Sequence, residues 1–290
     1  MSPTMSLPPV VARWYEMDAT LRAPGSWTWI SRGANFVVAL SKLDDGAELV
    51  RGDNPDEYVV LNDDVAATFS TPDETICAAR GSLTIVPPGK SRVVARGRGT
   101  VVRIFSSNAQ DVLEAASNAD DYARGAPLVA PLVSWPEPPG GYRLRSYVLA
   151  DHRVHGSIMR IFRTRNLMVN VLMPWMTPRD IHRLSPHSHA DFEQGSLALE
   201  SEWTHHLRFP WTRDMSTWRD DQHVDIGYPS LTIIPPTVIH TSRNRTPNGR
   251  LVDIFAPPRV DFSRTSGLVI NAADYPMPSN VSSGASGTTV

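Results

Sequence analysis

The chain of 290 residues has one cysteine, Cys77, and almost no lysine. A single thiol excludes an intramolecular disulfide and any zinc knot built on cysteines. Cys77 lies in Thr75-Ile76-Cys77-Ala78-Ala79, a short apolar run that predicts a buried, unreactive side chain. Lysine occurs only at Lys42 and Lys90 among 28 basic residues, so arginine carries the positive charge. Its planar fork suits carboxylates, in the protein or in a substrate, and structural pairing is the plainer use. The formal net charge is only −2 and no basic run occurs, which argues against a nucleic-acid partner. No run of ~18 apolar residues is present, so no membrane-spanning helix is expected. The first residues lack the basic-then-apolar pattern of a secretory signal, and a cytoplasmic location is the expectation.

Short strands fill the space that long hydrophobic runs do not. Phe36-Val37-Val38-Ala39-Leu40, Tyr58-Val59-Val60-Leu61 and Leu167-Met168-Val169-Asn170-Val171-Leu172 have strand length and are rich in β-branched residues. With 25 prolines as punctuation, the pattern predicts an all-β sandwich or barrel. Helix is predicted only over residues 109–124, closed by Gly125. Ser82-Leu83-Thr84-Ile85-Val86-Pro87-Pro88 recurs as Ser230-Leu231-Thr232-Ile233-Ile234-Pro235-Pro236, and each copy leads on to a strand ending Ile-Phe, at 104–105 and 254–255. Two copies about half a chain apart mark a duplicated domain. The expected division is residues 1–145, residues 146–275 and a mobile tail over 276–290, with an extended Pro- and Gly-rich connector over 126–141.

All nine histidines lie between His152 and His240. In Pro186-His187-Ser188-His189-Ala190-Asp191-Phe192-Glu193-Gln194 the first two share a strand face, about 7 Å apart, and can converge on one metal ion. Glu193 or Gln194 can add a third donor, and His240, after Pro235-Pro236, a fourth from a neighbouring strand. Being adjacent, Glu193 and Gln194 face opposite ways, so only one can serve.

These motifs resemble the two sequence signatures of the cupin superfamily: His-x-His followed by Glu or Gln, then a distant Gly227, Pro235, Thr237, His240 and Asn244. The resemblance spans both halves and implies a bicupin: duplicated double-stranded β-helix (jelly-roll) barrels. Leu199-Glu200-Ser201-Glu202 looks like the family's Leu-Glu-Gly-Glu turn. The chain departs from the pattern at Thr237 and Ser201, where turn glycines are usual, and has no glycine six residues before His187. A glutamine ligand occurs in some cupins, including enzymes that linearise unsaturated uronates. Glu193 fits by charge and Gln194 by register.

The first half has no histidine, and Arg92 stands where the second has His240. A guanidinium cannot ligate a cation. A metal-free first barrel follows, serving packing or dimerisation, with Arg92 holding a carboxylate as the sharper alternative. The second barrel is expected to hold one divalent ion: Fe(II) first, then Zn(II), Mn(II) or Ni(II). His205, His206 and Arg208 are candidate catalytic residues, since one of the two histidines must face the barrel. Arg179, Arg183 and Arg208 could hold an anion. Met173, Trp175, Met176, Phe192, Trp203 and Trp211 could line a cavity or, more plainly, the core. The expected activity is metal-dependent and acts on a small-molecule substrate. A dioxygenase-type oxidoreductase leads a Lewis-acid isomerase or lyase acting on a sugar or keto acid, and a non-enzymatic binding bicupin stands apart. A homodimer is the expected assembly.

Overall fold

A computed structural model describes residues 7–279 and the backbone of Thr288–Thr289. Of the expected tail, residues 280–287 and 290 lie outside the described residues. The chain is almost entirely β, arranged as two barrels of two antiparallel sheets each. In the first barrel, Arg145–Val148, Ser82–Val86, Tyr58–Asn62, Gly99–Ser106, Phe36–Leu43, Ser26–Arg32 and Leu21–Ala23 form the large sheet in that order. The small sheet runs Glu48–Arg51, Ser91–Arg96, Ala66–Ser70, Thr75–Ala78. In the second, the large sheet runs Val10–Ala12, Ser230–Ile234, Gln194–Glu200, Arg250–Phe255, Met168–Val171, Ile161–Arg163. Its partner runs Gln222–Ile226, Trp203–Arg208, Ile239–Asn244, His187–Ser188, Thr288–Thr289.

The two halves exchange strands. Val10–Ala12, ahead of the first barrel, pairs with Ser230–Ile234 of the second (Val10 opposite Ile233). Arg145–Val148, ahead of the second, pairs with Ser82–Val86 of the first (Arg145 opposite Ile85). Ile85 and Ile233 occupy the same place in the repeat, so the exchange is reciprocal. Residues 126–141 run between the halves without helix or strand.

The large sheets pack on each other. Val38, Leu40, Val59, Leu61, Val102 and Ile104 join Val169, Leu197, Leu231, Ile233, Val252 and Ile254 in one buried cluster. Alternate residues of the same strands (Val37, Ala39, Tyr58, Val60, Val101, Phe105) fill the first barrel. Burial on both faces explains why these strands read as continuous apolar runs rather than alternating ones. At Gly195 a Cβ would stand 3.0 Å from the Phe36 ring, so a side chain there would push the large sheets apart. The second barrel's interior is divided into smaller apolar clusters. Buried Asn170, Gln194, Ser196 and His240, with half-buried Asp253, lie among them.

Two local expectations need correction. The predicted helix over 109–124 forms only Gln110–Glu114 and a 3-10 turn at Ala119–Tyr122, although Gly125 does take a left-handed φ of 73°. Cys77 is exposed, because Thr75–Ala78 is an edge strand and the thiol lies on its outward face. Among the described residues no helix is long and apolar enough to cross a membrane.

Candidate metal centre

His187 and His240 sit directly opposite each other on paired strands, and His189 follows as the first strand ends. The metal-ligating atoms of the three imidazoles all lie within 4.8 Å of one another, a cluster that could hold a metal ion. Ring centroids are 4.3 Å apart for His187–His240 and 5.1 Å for the other two pairs. Backbone carbonyls set two of the rings: Nδ1 of His187 lies 2.9 Å from Ser185 O, and Nδ1 of His240 lies 2.9 Å from Val238 O. Carbonyls only accept, so each Nδ1 carries the proton and each Nε2 keeps its lone pair. The turn between Pro236 and His240 is tied back by Thr237 N–H donating to His189 O at 2.7 Å.

Gln194, at the start of its strand, faces the histidines. Its Oε1 lies 2.9 Å from Nε2 of His189 and 3.2 Å from Nε2 of His240. Its Nε2 donates to Asp253 Oδ1 and Ser196 Oγ, each at 3.1 Å, which fixes the amide with its oxygen toward the imidazoles. Asn170 holds the other Asp253 oxygen at 3.2 Å. Such outer contacts are what orient a metal ligand. Glu193, the alternative, does not face the cluster. The strand's alternation sends its carboxylate to the junction between barrels, where it accepts from Ala34 N–H at 2.6 Å and Tyr122 O–H at 2.9 Å.

Burial pushes the imidazoles down, His189 to about 2 and His240 to about 3, with His187 lowered for the same cause. All three are therefore neutral at pH 7, the form a metal requires. Nδ1 of His189 is buried with no hydrogen-bond partner among the described residues. Three neutral imidazoles and an oriented amide oxygen fit a divalent cation.

The cluster opens into a cavity of about 420 Å³, with His187, Gln194, His240 and Asp253 on one side and Arg179, Arg259, Trp175 and Phe262 among the other walls. Arg179 is fixed by Ser242 O at 2.7 Å and Ser185 Oγ at 2.8 Å. Arg259 is held by Asp261 and stacks on Phe262, 3.6 Å from its ring centroid. Asp253 and Arg259 were not legible as site residues. Their only signal is position, immediately before and shortly after the repeated Ile-Phe pair.

Of the candidate catalytic residues, His205 points inward, fully buried, with Nδ1 2.7 Å from Ser242 Oγ, and burial lowers it to about 4. His206 and Arg208, named with it from the sequence, project from the opposite face of their strand. His206 meets His223 at 2.8 Å, and Arg208 pairs with Asp221 at the surface. Arg183 and Trp211 are exposed, and Trp203 is core. Arg92 also points outward, pairing with Glu48 Oε2 at 2.7 Å, because Ser91 and Val93 take the inward positions of its strand.

The architecture and its sequence repeat define the class: the chain has the bicupin fold. It is similar to the Lactobacillus farciminis oxalate decarboxylase formate complex, with a TM-score of 0.57 and 12% identity over 86% of each chain. It is similar to the Momordica charantia 7S globulin (TM-score 0.55, 12% identity, 86% of this chain and 84% of that). AerE from Microcystis aeruginosa gives a TM-score of 0.54 at 9% identity, covering 88% of this chain and 100% of that. No family model and no curated protein sequence matches. A decarboxylase and a globulin on one fold leave function to the site.

Proposed function

We propose that the protein is a metal-dependent cupin enzyme acting on a small anionic carbonyl compound, a sugar acid or keto acid, as a Lewis-acid isomerase or lyase. The observation that carries this reading is that Gln194, and not Glu193, stands against the three histidines. A wholly neutral donor set leaves the cation's charge unquenched. A divalent ion such as Zn(II), Mn(II) or Ni(II) would there polarise a carbonyl and attract an anion. Arg179 and Arg259 stand on the walls of the same cavity; Asp261 already meets the charge of Arg259, which leaves Arg179 suited to a substrate carboxylate. Their guanidinium groups are fixed by hydrogen bonds, so little order is lost on binding. Asp253, Ser196 and Asn170 hold the Gln194 amide and are positioning residues. The centre belongs to the second barrel alone in this reading, and the first is metal-free.

An Fe(II) dioxygenase, first on sequence, is the second reading. Trp175, Phe255, Phe262 and Met159 on the cavity wall favour it, since they suit an aromatic enol or phenol.

Metal analysis of the natively purified protein tests both. About one divalent ion per chain is expected, lost in His187→Ala and in His240→Ala. Isomerisation or cleavage of uronic or keto acids without oxygen supports the first reading. Oxygen uptake with Fe(II) across enols and phenols supports the second. A wild-type protein without stoichiometric metal sinks both.

A further inference from the structure

The two barrels carry opposite charges at one equivalent interior position. Asp253 precedes Ile254-Phe255, and Arg103 precedes Ile104-Phe105. Asp253 is enclosed by Asn170, Gln194 and Ser196. Arg103 has no such company. It is 9% exposed, lies between the inward-facing Val101 and Phe105, and its Nε has no hydrogen-bond partner among the described residues. Its guanidinium lies 5.7 Å from the Phe105 ring centroid, no carboxylate pairs with it among the described residues, and the like charge of Arg51 acts against it. Burial lowers it to about 10, so it stays charged at pH 7. A buried guanidinium without a counter-ion is costly to keep.

Arg51 and Arg103, with Arg22, line a cavity of about 360 Å³ in the first barrel, with Ile30, Leu49, Phe105 and Val112 among its walls. The charges there do not balance. Asp111 is engaged by Arg51 at 2.5 and 2.9 Å, Glu48 is engaged by Arg92, and Arg22 pairs with Asp18 at 3.1 Å. One positive charge, that of Arg103, is left over. A planar fork beside the apolar Ile30, Leu49, Phe105 and Val112 suits one carboxylate attached to an apolar body.

We propose that the first barrel binds a small apolar monocarboxylate, its carboxylate paired with Arg103 and its body against Phe105 and Val112. This second ligand site lies apart from the metal centre and does not depend on it. Arg92, which the sequence suggested for such a role, is occupied by Glu48 outside the barrel.

The test titrates the full chain with benzoate and hexanoate by calorimetry at constant ionic strength. Benzamide and inorganic phosphate serve as the neutral and inorganic comparisons. One saturable site for a carboxylate is expected, at least tenfold tighter than benzamide or phosphate and unchanged in His187→Ala. Arg103→Met should abolish it, leave metal content intact and raise the ligand-free melting temperature, since the unpaired charge is replaced by a side chain of similar volume. Ala115→Trp, which narrows the chamber while leaving both arginines in place, should weaken binding at least tenfold, and it reads even if Arg103→Met fails to fold. The proposal is overturned if neither carboxylate saturates, if phosphate binds as tightly, if Arg103→Met or Ala115→Trp binds normally, or if His187→Ala abolishes binding.

Discussion

At the scale of single residues, the centre turns on a pair of neighbours that point opposite ways. Gln194 reaches the histidines, whereas Glu193 accepts from Ala34 N–H and Tyr122 O–H at the junction between barrels. Gln194→Ala should weaken metal binding tenfold or more in a chelator competition. Glu193→Ala should keep the metal and cost about 1–3 kcal/mol in urea unfolding, because two donors lose their acceptor. Equal metal loss in both variants would remove the distinction. The sequence held the choice to these two residues but could not settle it, since strand phase was not fixed by the motif alone. It did mark strain: Thr237 and Ser201, which stand where family glycines are usual, take left-handed φ values of 70° and 77°. A non-glycine residue there costs roughly 1–2 kcal/mol. Thr237→Gly should therefore raise stability by about 1 kcal/mol in the same assay, after the glycine's own entropy is set against the relief. An unchanged or lower midpoint would mean that the turn bears no strain.

Among the elements, the duplication was legible because Ser-Leu-Thr-Ile-x-Pro-Pro is a buried strand followed by a turn, and both copies adopt that form. The strand exchange was not legible. Val10–Ala12 and Arg145–Val148 are short segments whose partners lie more than 210 residues away in the first case and at least 60 in the second, and no local pattern encodes such pairing. The inward face of Trp203–Arg208 was likewise invisible, which is why His206 and Arg208 looked as eligible as His205. The N-terminal segment joins both halves. Its backbone pairs with the second barrel, while Trp14, 1% exposed, donates to Ser31 Oγ of the first at 3.1 Å. Trp14→Ala should cost about 3–5 kcal/mol in chemical denaturation, the range for a large buried ring. A loss below 1 kcal/mol would show that this strap contributes little to joining the barrels.

For the whole molecule, a core shared between the large sheets makes the barrels mutually dependent, so a single unfolding transition is the expectation. One buried acid at the junction should make that transition depend on pH. Glu57 accepts from Tyr275 O–H at 2.6 Å, tying the first barrel to the end of the second, and its Oε2 has no partner among the described residues. Burial raises its carboxyl from 4.5 to about 7, against the opposing hydrogen bond from Tyr275 and the nearby Arg145. The folded state thus holds a proton that the unfolded state has released between those two values. Stability from this group is full below about pH 4.5, falls as pH rises toward 7 and is flat above, a loss of about 3–4 kcal/mol at ~1.4 kcal/mol per unit. Other groups titrate over the same range, so the informative quantity is the difference from Glu57→Gln, which keeps an acceptor for Tyr275 and cannot ionise. In urea unfolding the variant should match the wild type near pH 4.5 and exceed it by about 3–4 kcal/mol at pH 8. A gap that stays constant from pH 4.5 to 8 would show that Glu57 ionises as readily in the fold as out of it, and that the junction tolerates its charge.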